Sequence, residues 1–163
     1  MEPLTVRPAR LADVQGIATL VNEFAAEGIM LSRTPDEIAL AIDDYVVAVD
    51  GRGRVLGSGA LREYAPSLAE VAAIAVAREA HGRGLGRVIV EEVERLARRR
   101  GIDEVFALTL APKFFEALGY VAVDRSLYPE KIRRDCTGCA KRFGCVEICM
   151  RRLLDAPALE IAA

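Results

Sequence analysis

The sequence predicts an α+β domain in which helices cover both faces of one mixed β-sheet. Two observations lead to this prediction. First, short β-branched runs alternate along the chain with segments in which apolar residues recur at helical spacing. Second, the 163 residues are 52% hydrophobic, which supplies a core and excludes global disorder.

The N-terminal segment predicts one strand followed by two helices. Leu4–Arg7 has the pattern of a short strand, and Asp13–Ala26 carries apolar residues at helical spacing. Thr34 begins the second helix, because Pro35 suits the first helical position and Glu37 completes a capping box with the threonine side chain.

Three strands are predicted next. Tyr45–Val49 and Val55–Glu63 flank the turn Asp50–Gly53, and two such runs around a short turn form a hairpin. The apolar run Glu70–Ala77 predicts the fourth strand.

A glycine-containing turn leads from this strand into the longest predicted helix, Gly86–Arg99, which Gly101 terminates. The opposite face of that helix, which includes Glu94, is predicted to face solvent. The residues predicted to be buried on it are Val88, Ile89, Val93, Leu96 and Ala97.

The last third of the chain predicts a strand, a short helix and two further strands. Their expected positions are Glu104–Leu110, Pro112–Leu118, Tyr120–Val123 and Glu147–Leu154. The resulting order is β-α-α-β-β-β-α-β-α-β, then a cysteine-rich segment, then the last strand. We expect one domain over residues 1–155, with the cysteine-rich insertion at about 127–149 and a tail at 156–163.

Charge and hydropathy limit the classes of partner. The net charge is −2, so no bulk attraction to nucleic acid or to a membrane surface is expected. No apolar run reaches the roughly 18 residues of a membrane-spanning helix, and the first residues lack the pattern of a signal peptide. We therefore expect a cytoplasmic protein.

The most informative motif is His81-Gly-Arg-Gly-Leu-Gly86, between the fourth strand and the long helix. Glycines let a backbone approach a ligand closely, and the first turn of a helix has unpaired N–H groups that can bind phosphate. Arg83 and Arg87 add positive charge there. The pattern is typical of a phosphate-binding loop, and an ordinary turn is the alternative.

This loop and a second motif resemble those of the GNAT superfamily of acetyl-CoA-dependent N-acetyltransferases. The family's loop reads Gln/Arg-x-x-Gly-x-Gly/Ala, which Gly84 and Gly86 match, whereas His81 stands where Gln or Arg is usual. The second signature, an aromatic pair followed by Gly-aromatic, occurs as Phe114-Phe-Glu-Ala-Leu-Gly-Tyr120. The resemblance covers nearly the whole chain and implies the GNAT acyl-CoA N-acyltransferase fold, with acetyl-CoA as cosubstrate.

A finer resemblance is to the short, single-domain N-acetylglutamate synthase group of bacterial arginine biosynthesis. It implies the α-amine of L-glutamate as acceptor. One departure is that members of the group often carry Arg and Ser in the fourth strand where this chain has Ala72 and Ala73. The segments that carry the resemblance are Leu31–Glu37, Gly57–Leu61, Leu68–Val71, Phe114–Phe115 and Leu127–Cys136, continuing through Cys139 and Cys145 to Met150.

The resemblance to the superfamily also implies roles for individual residues. Glu70 would be the general base that removes the ammonium proton, and a strand-end carboxylate in a surface ion pair is the alternative interpretation. For His81, a phosphate contact or a spectator role is expected rather than catalysis. In this family the fourth strand splays from the fifth, and the implied cofactor-binding residues are Ile74, Ala75, Val76, His81, Gly82, Arg83, Gly84, Leu85, Gly86 and Arg87.

The proton donor for the leaving thiolate is left open. Many relatives have Tyr as the second member of the aromatic pair, proposed to protonate the thiolate, whereas Phe115 has no proton to give. Tyr64, Thr109 and Tyr128 are alternative hydroxyls, and protonation by water is another route.

An α-amino dicarboxylate substrate would need cationic partners. Arg33 is the first candidate, on the loop between the first two helices, and a solvated surface charge is the alternative for each candidate. The other candidates are Lys113, Lys131 and Arg134.

Four cysteines lie at Cys136, Cys139, Cys145 and Cys149. Their spacing admits a structural zinc site, free thiols or disulfides, and Cys149 also suits a core position in the last strand. A catalytic cysteine is not expected.

Three functions follow as alternatives. The first is N-acetylation of L-glutamate, and the second is acetylation of another amino acid or small amine. The third is a binding protein without turnover, either an acyl-CoA-binding module or a metal-dependent interaction protein built around the cysteines. An exposed sheet edge beside the last strand is consistent with a homodimer.

Overall fold

The computed structural model describes residues 2–139 and 145–154. Within these residues the strands are β1 (Thr5–Pro8), β2 (Tyr45–Val49), β3 (Val55–Ala65), β4 (Leu68–Val76), β5 (Glu104–Thr109), β6 (Val121–Val123) and β7 (Ile148–Leu153). They form a seven-stranded sheet in the order β1-β2-β3-β4-β5-β7-β6. β2 pairs antiparallel with β1 and β3, β4 pairs parallel with β5, and β7 pairs antiparallel with β5 and β6. The predicted mixed α+β fold is therefore confirmed.

The helices of the described residues are α1 (Val14–Ala26), α2 (Pro35–Leu40), α3 (Leu85–Arg99), α4 (Pro112–Glu116) and α5 (Pro129–Lys131). Helix α5 continues without a break into the π-helical turn Ile132–Cys136, and the two together are called the 129–136 helical segment. The sequence did not predict this segment. Short 3₁₀ turns occur at Leu11–Asp13, Ile42–Asp44, Arg78–Ala80 and Arg125–Leu127.

The start of α2 shows why the sequence folds there as predicted. The Thr34 hydroxyl accepts from the Glu37 amide at 3.1 Å, and the Glu37 carboxylate accepts from the Thr34 amide at 2.8 Å. Two amides that the helix leaves unpaired are thus satisfied, an arrangement that stabilises a helix start by about 1 kcal/mol. Pro35 occupies the first turn, where a missing N–H costs nothing.

The described contacts separate the chain into two compact units. The first unit comprises the residues up to Arg62 together with Val71–Leu96, and the second comprises Glu63–Glu70 and the residues from Ala97 onward. The tail expected at 156–163 lies outside the described residues, as do residues 140–144 of the cysteine-rich segment.

Strand β2 is the centre of the first unit, because all five of its residues are buried. On one face Val47 packs in a cluster with Ile17 of α1 and Ile38 of α2. On the other face Ala48 belongs to a second cluster, which also contains Ile89 of α3. Both faces of this strand are therefore covered.

Helix α3 differs from its predicted orientation at two residues. Val88, expected to be buried, is 41% exposed, and Glu94, expected to face solvent, is only 2% exposed. The buried stripe runs through Ile89, Val93 and Ala97, and Glu94 lies beside it, one turn after the buried Val90. The hydrophobicity of a single side chain does not decide its face, because the helical period places Val88 outside the buried stripe and Glu94 beside it.

The core of the second unit is aromatic. Phe106 of β5 is fully buried and stacks on Tyr128 with ring centroids 4.2 Å apart. The ring of Tyr64, on β3, is tilted against the Phe106 ring, with the two centroids 5.7 Å apart. Cys149 of β7 belongs to the same cluster. The Tyr128 hydroxyl donates to Glu104 at 2.8 Å.

Two glycines of β3 are packing constraints. A Cβ built on Gly59 would lie 2.7 Å from Ile74 Cδ1, 2.8 Å from Ile89 Cγ2 and 3.2 Å from Val93 Cγ2. A Cβ on Gly57 would lie 2.5 Å from Ile89 Cδ1. The glycines therefore make room for side chains of β4 and α3, where a larger residue on β3 would force them apart.

We predict that Gly59→Ala lowers the free energy of unfolding by about 1–3 kcal/mol, the cost of overpacking a filled core. Urea denaturation measures the change. Gly51→Ala is the matched control, because a Cβ at Gly51 meets no atom within 4 Å, and it should change stability by less than about 0.5 kcal/mol. Equal effects of the two substitutions would contradict the packing argument.

Candidate active site

The glycine loop of the first unit leads from β4 into α3. Gly82 and Gly84 have φ values of 77° and 72°, which lie in the left-handed region that favours glycine. A Cβ on either would meet no atom within 4 Å, so conformation and not crowding demands glycine here. Because α3 begins at Leu85, the loop precedes a first turn with unpaired amides, and it can hold a phosphate group.

The two arginines of this loop and helix start, Arg83 and Arg87, have different surroundings. Arg83 is exposed. Arg87 is also exposed, and its Nε donates to Glu91 at 2.9 Å. The structure therefore places the predicted residues 81–87 in this loop and the first turn of α3, with the exposed guanidinium of Arg83 beside them.

The side chain of His81 contacts the end of β4. Its Nε2 lies 2.7 Å from the carbonyl oxygen of Val76, the last residue of β4. With a proton on Nε2 the imidazole donates to this carbonyl and connects the loop to the end of the strand.

Strand β4 contains a backbone feature that sequence reasoning missed. Ala73 has a φ of 53°, a left-handed conformation that costs a non-glycine residue roughly 1–2 kcal/mol. Alanine gives no sequence signal for such a conformation. The residue directly precedes Ile74–Val76, and strained backbone of this kind is found most often at functional sites.

In the second unit, Glu70 belongs to a cluster of four polar side chains that is called the Glu70 cluster. Glu70 is only 5% exposed. Lys131 Nζ lies 3.1 Å from Glu70 Oε1 and 3.1 Å from Asp135 Oδ2. Tyr64 Oη lies 3.4 Å from Glu70 Oε1 and also donates to Asp135 Oδ2. A buried carboxylate is thus paired with a cation, as its burial requires.

The four candidate substrate cations are placed differently. Lys131 is engaged with the two carboxylates of the Glu70 cluster. The Arg134 guanidinium lies 4.4 Å from the centre of the Tyr64 ring and donates to the Glu63 carbonyl at 2.9 Å. Lys113 is exposed on α4. Arg33, in the first unit, is half-buried, and its main chain exchanges two hydrogen bonds with Asn22.

The three candidate hydroxyls have different partners. The Tyr128 hydroxyl donates to Glu104, and burial raises the pKa of this phenol far above its usual value. The Thr109 hydroxyl accepts from the Ala111 amide at 2.8 Å. Tyr64 is the candidate whose hydroxyl the structure places beside Glu70. The sequence offered one local sign of this cluster, the spacing of Lys131 and Asp135 by one helical turn.

Of the three states that the cysteine spacing admits, the described residues do not support the zinc site. All four thiols are free, and within residues 2–139 and 145–154 no three or more His, Cys, Asp or Glu side chains are grouped so that they could hold a metal ion. Two contacts explain this. Cys149 is buried in the aromatic core, and the Arg125 guanidinium donates to Cys145 Sγ at 3.6 Å, so a positive charge occupies the place beside that thiol.

No helix within the described residues is both long enough and apolar enough to cross a membrane.

A family model and individual relatives point to the same family of proteins. The Acetyltransferase (GNAT) family matches residues 17–120. An uncharacterised N-acetyltransferase of Chlorobaculum tepidum is 43% identical over 149 residues, which cover 91% of this chain and 96% of that protein. An amino-acid acetyltransferase of Mycobacterium tuberculosis is 33% identical over 121 residues, which cover 73% of this chain and 69% of that protein.

A solved structure agrees with these relatives. A Mycobacterium tuberculosis protein determined in complex with CoA is 27% identical, and it superposes with a TM-score of 0.81. The match covers 93% of this chain and 99% of that one.

The environment of Cys149 leads to a testable difference among the thiols. Burial raises its pKa to about 11, and the residue is 4% exposed, whereas Cys145 is half-buried. Since the thiolate is the reactive form, we predict that iodoacetamide at pH 8 alkylates Cys149 at least about a hundredfold more slowly than Cys145. Peptide mass mapping of the native protein measures the rates. The denatured protein is the control, in which the two rates should converge, and a native Cys149 as reactive as Cys145 would contradict its burial.

Proposed function

Because the chain belongs to the GNAT family of acetyltransferases, and is therefore an N-acetyltransferase that uses acetyl-CoA, we propose that it transfers the acetyl group directly to the α-amine of L-glutamate. The product would be N-acetyl-L-glutamate, an intermediate of arginine biosynthesis. Support comes from the relative that is named an amino-acid acetyltransferase and from the segments that resemble the short N-acetylglutamate synthase group.

The observation that carries the proposal is the position of Glu70 on β4. Its carboxylate is buried, and Ile74–Val76 follow further along the same strand, directly after the left-handed Ala73. A general base and main-chain groups that can pair with the pantetheine arm are thus carried by a single strand. This is the combination that acetyl transfer to an amine needs.

The reaction is assigned to these groups as follows. Glu70 accepts a proton from the substrate ammonium, directly or through water, because an α-ammonium with a pKa near 8 to 9 is mostly charged at neutral pH. The neutral amine attacks the thioester carbonyl, and a new C–N bond forms as the carbonyl oxygen becomes an oxyanion. A main-chain N–H of Ile74–Val76 donates to that oxyanion and lowers the barrier by roughly 3 kcal/mol.

Collapse of the tetrahedral intermediate breaks the C–S bond and releases CoA as a thiolate. Phe115 cannot protonate it, and a free thiol titrates near 8.5, so solvent water can supply the proton. The pyrophosphate of acetyl-CoA is assigned to the amides of residues 83–87 and to the guanidinium of Arg83.

The acceptor's carboxylates are assigned to Lys131 and Arg134, with Arg33 and Lys113 as further candidates. Lys131 already has two carboxylate partners, so a substrate carboxylate would compete with Asp135 for it. Ala72 and Ala73 leave β4 without the cation that members of the synthase group often carry there. This departure favours, as the second candidate, an acetyltransferase for another amino acid or small amine.

Two further expectations belong to the same proposal, a cytoplasmic location and a homodimer. The homodimer would form at the sheet edge beside the last strand, β7. That edge strand is β6, because β7 lies between β5 and β6.

We predict that purified protein releases CoA thiol from acetyl-CoA with L-glutamate faster than with any of the other nineteen common amino acids or with polyamines. A colorimetric thiol assay across this panel measures it. Faster release with another amine would keep the reaction and replace the acceptor, whereas acetyl-CoA binding without release would contradict the enzymatic assignment.

Glu70→Gln should lower kcat/KM for the acceptor by about a hundredfold or more, the usual contribution of a general base. The affinity for acetyl-CoA should change by less than about twofold, because the base does not hold the cofactor. Glu116→Gln, at an exposed carboxylate of α4, is the control and should keep the wild-type rate. Full activity of Glu70→Gln would exclude this residue as the base.

Gly84→Ala should weaken acetyl-CoA binding by about tenfold, because a left-handed backbone costs alanine roughly 1–2 kcal/mol and the loop would relax away from the binding geometry. Isothermal titration calorimetry measures the affinity. Gly51→Ala, in the hairpin turn, should leave the affinity unchanged, and an unchanged affinity for Gly84→Ala would argue against the loop as the pyrophosphate site.

A further inference from the structure

Tyr64 has one hydroxyl proton and two carboxylate neighbours. Its Oη lies 3.4 Å from Glu70 Oε1, which is long for an O–H donor, and the hydroxyl also donates to Asp135 Oδ2. One proton cannot serve both acceptors at the same time. We assign the proton to the side of Asp135, which leaves a lone pair of the Tyr64 oxygen for Glu70.

Lys131 neutralises part of the negative charge of the same group. Its ammonium lies 3.1 Å from a carboxylate oxygen of Glu70 and from one of Asp135, so it stabilises both carboxylates in the ionised form. Within the described residues, the charged or titratable groups near this cluster include Arg134, whose guanidinium lies over the Tyr64 ring, and the thiols of Cys136 and Cys149. The ionised state of Glu70 thus has a partner in Lys131.

From this geometry we propose that Tyr64 and Asp135 are positioning residues for Glu70. Asp135 directs the Tyr64 hydroxyl proton away from Glu70, so that the Tyr64 oxygen accepts a hydrogen bond from Glu70 once that residue has taken the substrate's proton. The inference rests on the proposed role of Glu70 as the general base, and it goes beyond that role by assigning the group that stabilises its protonated form.

The two states of Glu70 then have different partners. As a carboxylate, Glu70 accepts from the Lys131 ammonium. After it removes the ammonium proton of the substrate, the new O–H of Glu70 donates to Tyr64, and Tyr64 continues to donate to Asp135. When the proton leaves to water, the first state returns, and no charge other than that of Glu70 has changed in the cycle. A base that must both gain and lose a proton benefits from a partner for each form.

The sign of the pH effect follows from this arrangement. Tyr64→Phe removes the acceptor for protonated Glu70, so the proton is bound less tightly and the acid limb of the kcat/KM profile moves to lower pH. Asp135→Asn frees the Tyr64 proton to turn toward Glu70 and removes a neighbouring negative charge, and both changes favour the carboxylate. The two substitutions therefore shift the acid limb in the same direction, by about half a unit to one unit each.

The experiment measures kcat, KM and the pH profile for four variants, Tyr64→Phe, Asp135→Asn, Glu70→Gln and the double variant Tyr64→Phe/Glu70→Gln. We expect Tyr64→Phe to lower kcat by about tenfold, with KM for acetyl-CoA within about twofold of wild type. In the Glu70→Gln background the same substitution should have no further effect, because Tyr64 acts through Glu70. The ring is retained in Tyr64→Phe, so its contacts with Phe106 and Arg134 persist.

The control for loss of a buried tyrosine hydroxyl in the same unit is Tyr120→Phe, whose ring packs edge-on against Phe115. It should keep kcat within about twofold and leave the acid limb in place. Thermal unfolding of each variant separates a folding defect from a change in catalysis.

Three results would overturn the inference. The first is an acid limb that does not shift in Tyr64→Phe or Asp135→Asn, although Glu70→Gln loses activity. The proposed function would then stand without this inference. An equal loss on adding Tyr64→Phe to wild type and to Glu70→Gln would assign Tyr64 a purely structural role. Full activity of Glu70→Gln would remove the base itself, and the proposed function and this inference would fail together.

Discussion

One ammonium group organises the second unit. Lys131 Nζ binds the carboxylates of Glu70 and Asp135, and the first of these is 61 residues away in sequence. Removing the cation would leave two acidic groups of low exposure close together, which is costly in a medium of low dielectric constant. The 129–136 helical segment is too short to be stable by itself. Its pairing with β4 therefore gives this otherwise weak helix a fixed place and gives Glu70 its charged form.

Much of the fold could be predicted from the sequence, because periodicity and capping are local signals. The α2 start at Thr34 and the bounds of β2 agree with the structure at the residue level. The 129–136 helical segment was missed, because its Pro129–Lys131 turn is short and a π-helical turn has no 3.6-residue apolar repeat. The burial of Glu94 was missed for a different reason, since the residue type argued against the face that the helix geometry assigns.

In the candidate site, too, some features could be predicted from local sequence and others could not. The conformation of the glycine loop was predictable, because positive φ values favour glycine and the sequence has glycine at positions 82 and 84. The Glu70 cluster was not, because Tyr64 and Asp135 are 71 residues apart and only the fold brings them together. The cysteine spacing left a zinc site, free thiols and disulfides open, and the structure has free thiols. Spacing shows which ligands could meet, whereas packing in the aromatic core decides where Cys149 lies.

The left-handed Ala73 restricts which sequences can occupy this strand. Asparagine and glycine tolerate such a φ, while β-branched residues are excluded by steric clash with their own backbone. An arginine at this position would have to adopt the same conformation before its charge could reach an acceptor, whereas Ala72 has no such restriction. The residue types found at position 73 in related proteins should therefore be limited first by this backbone conformation and only then by the choice of substrate.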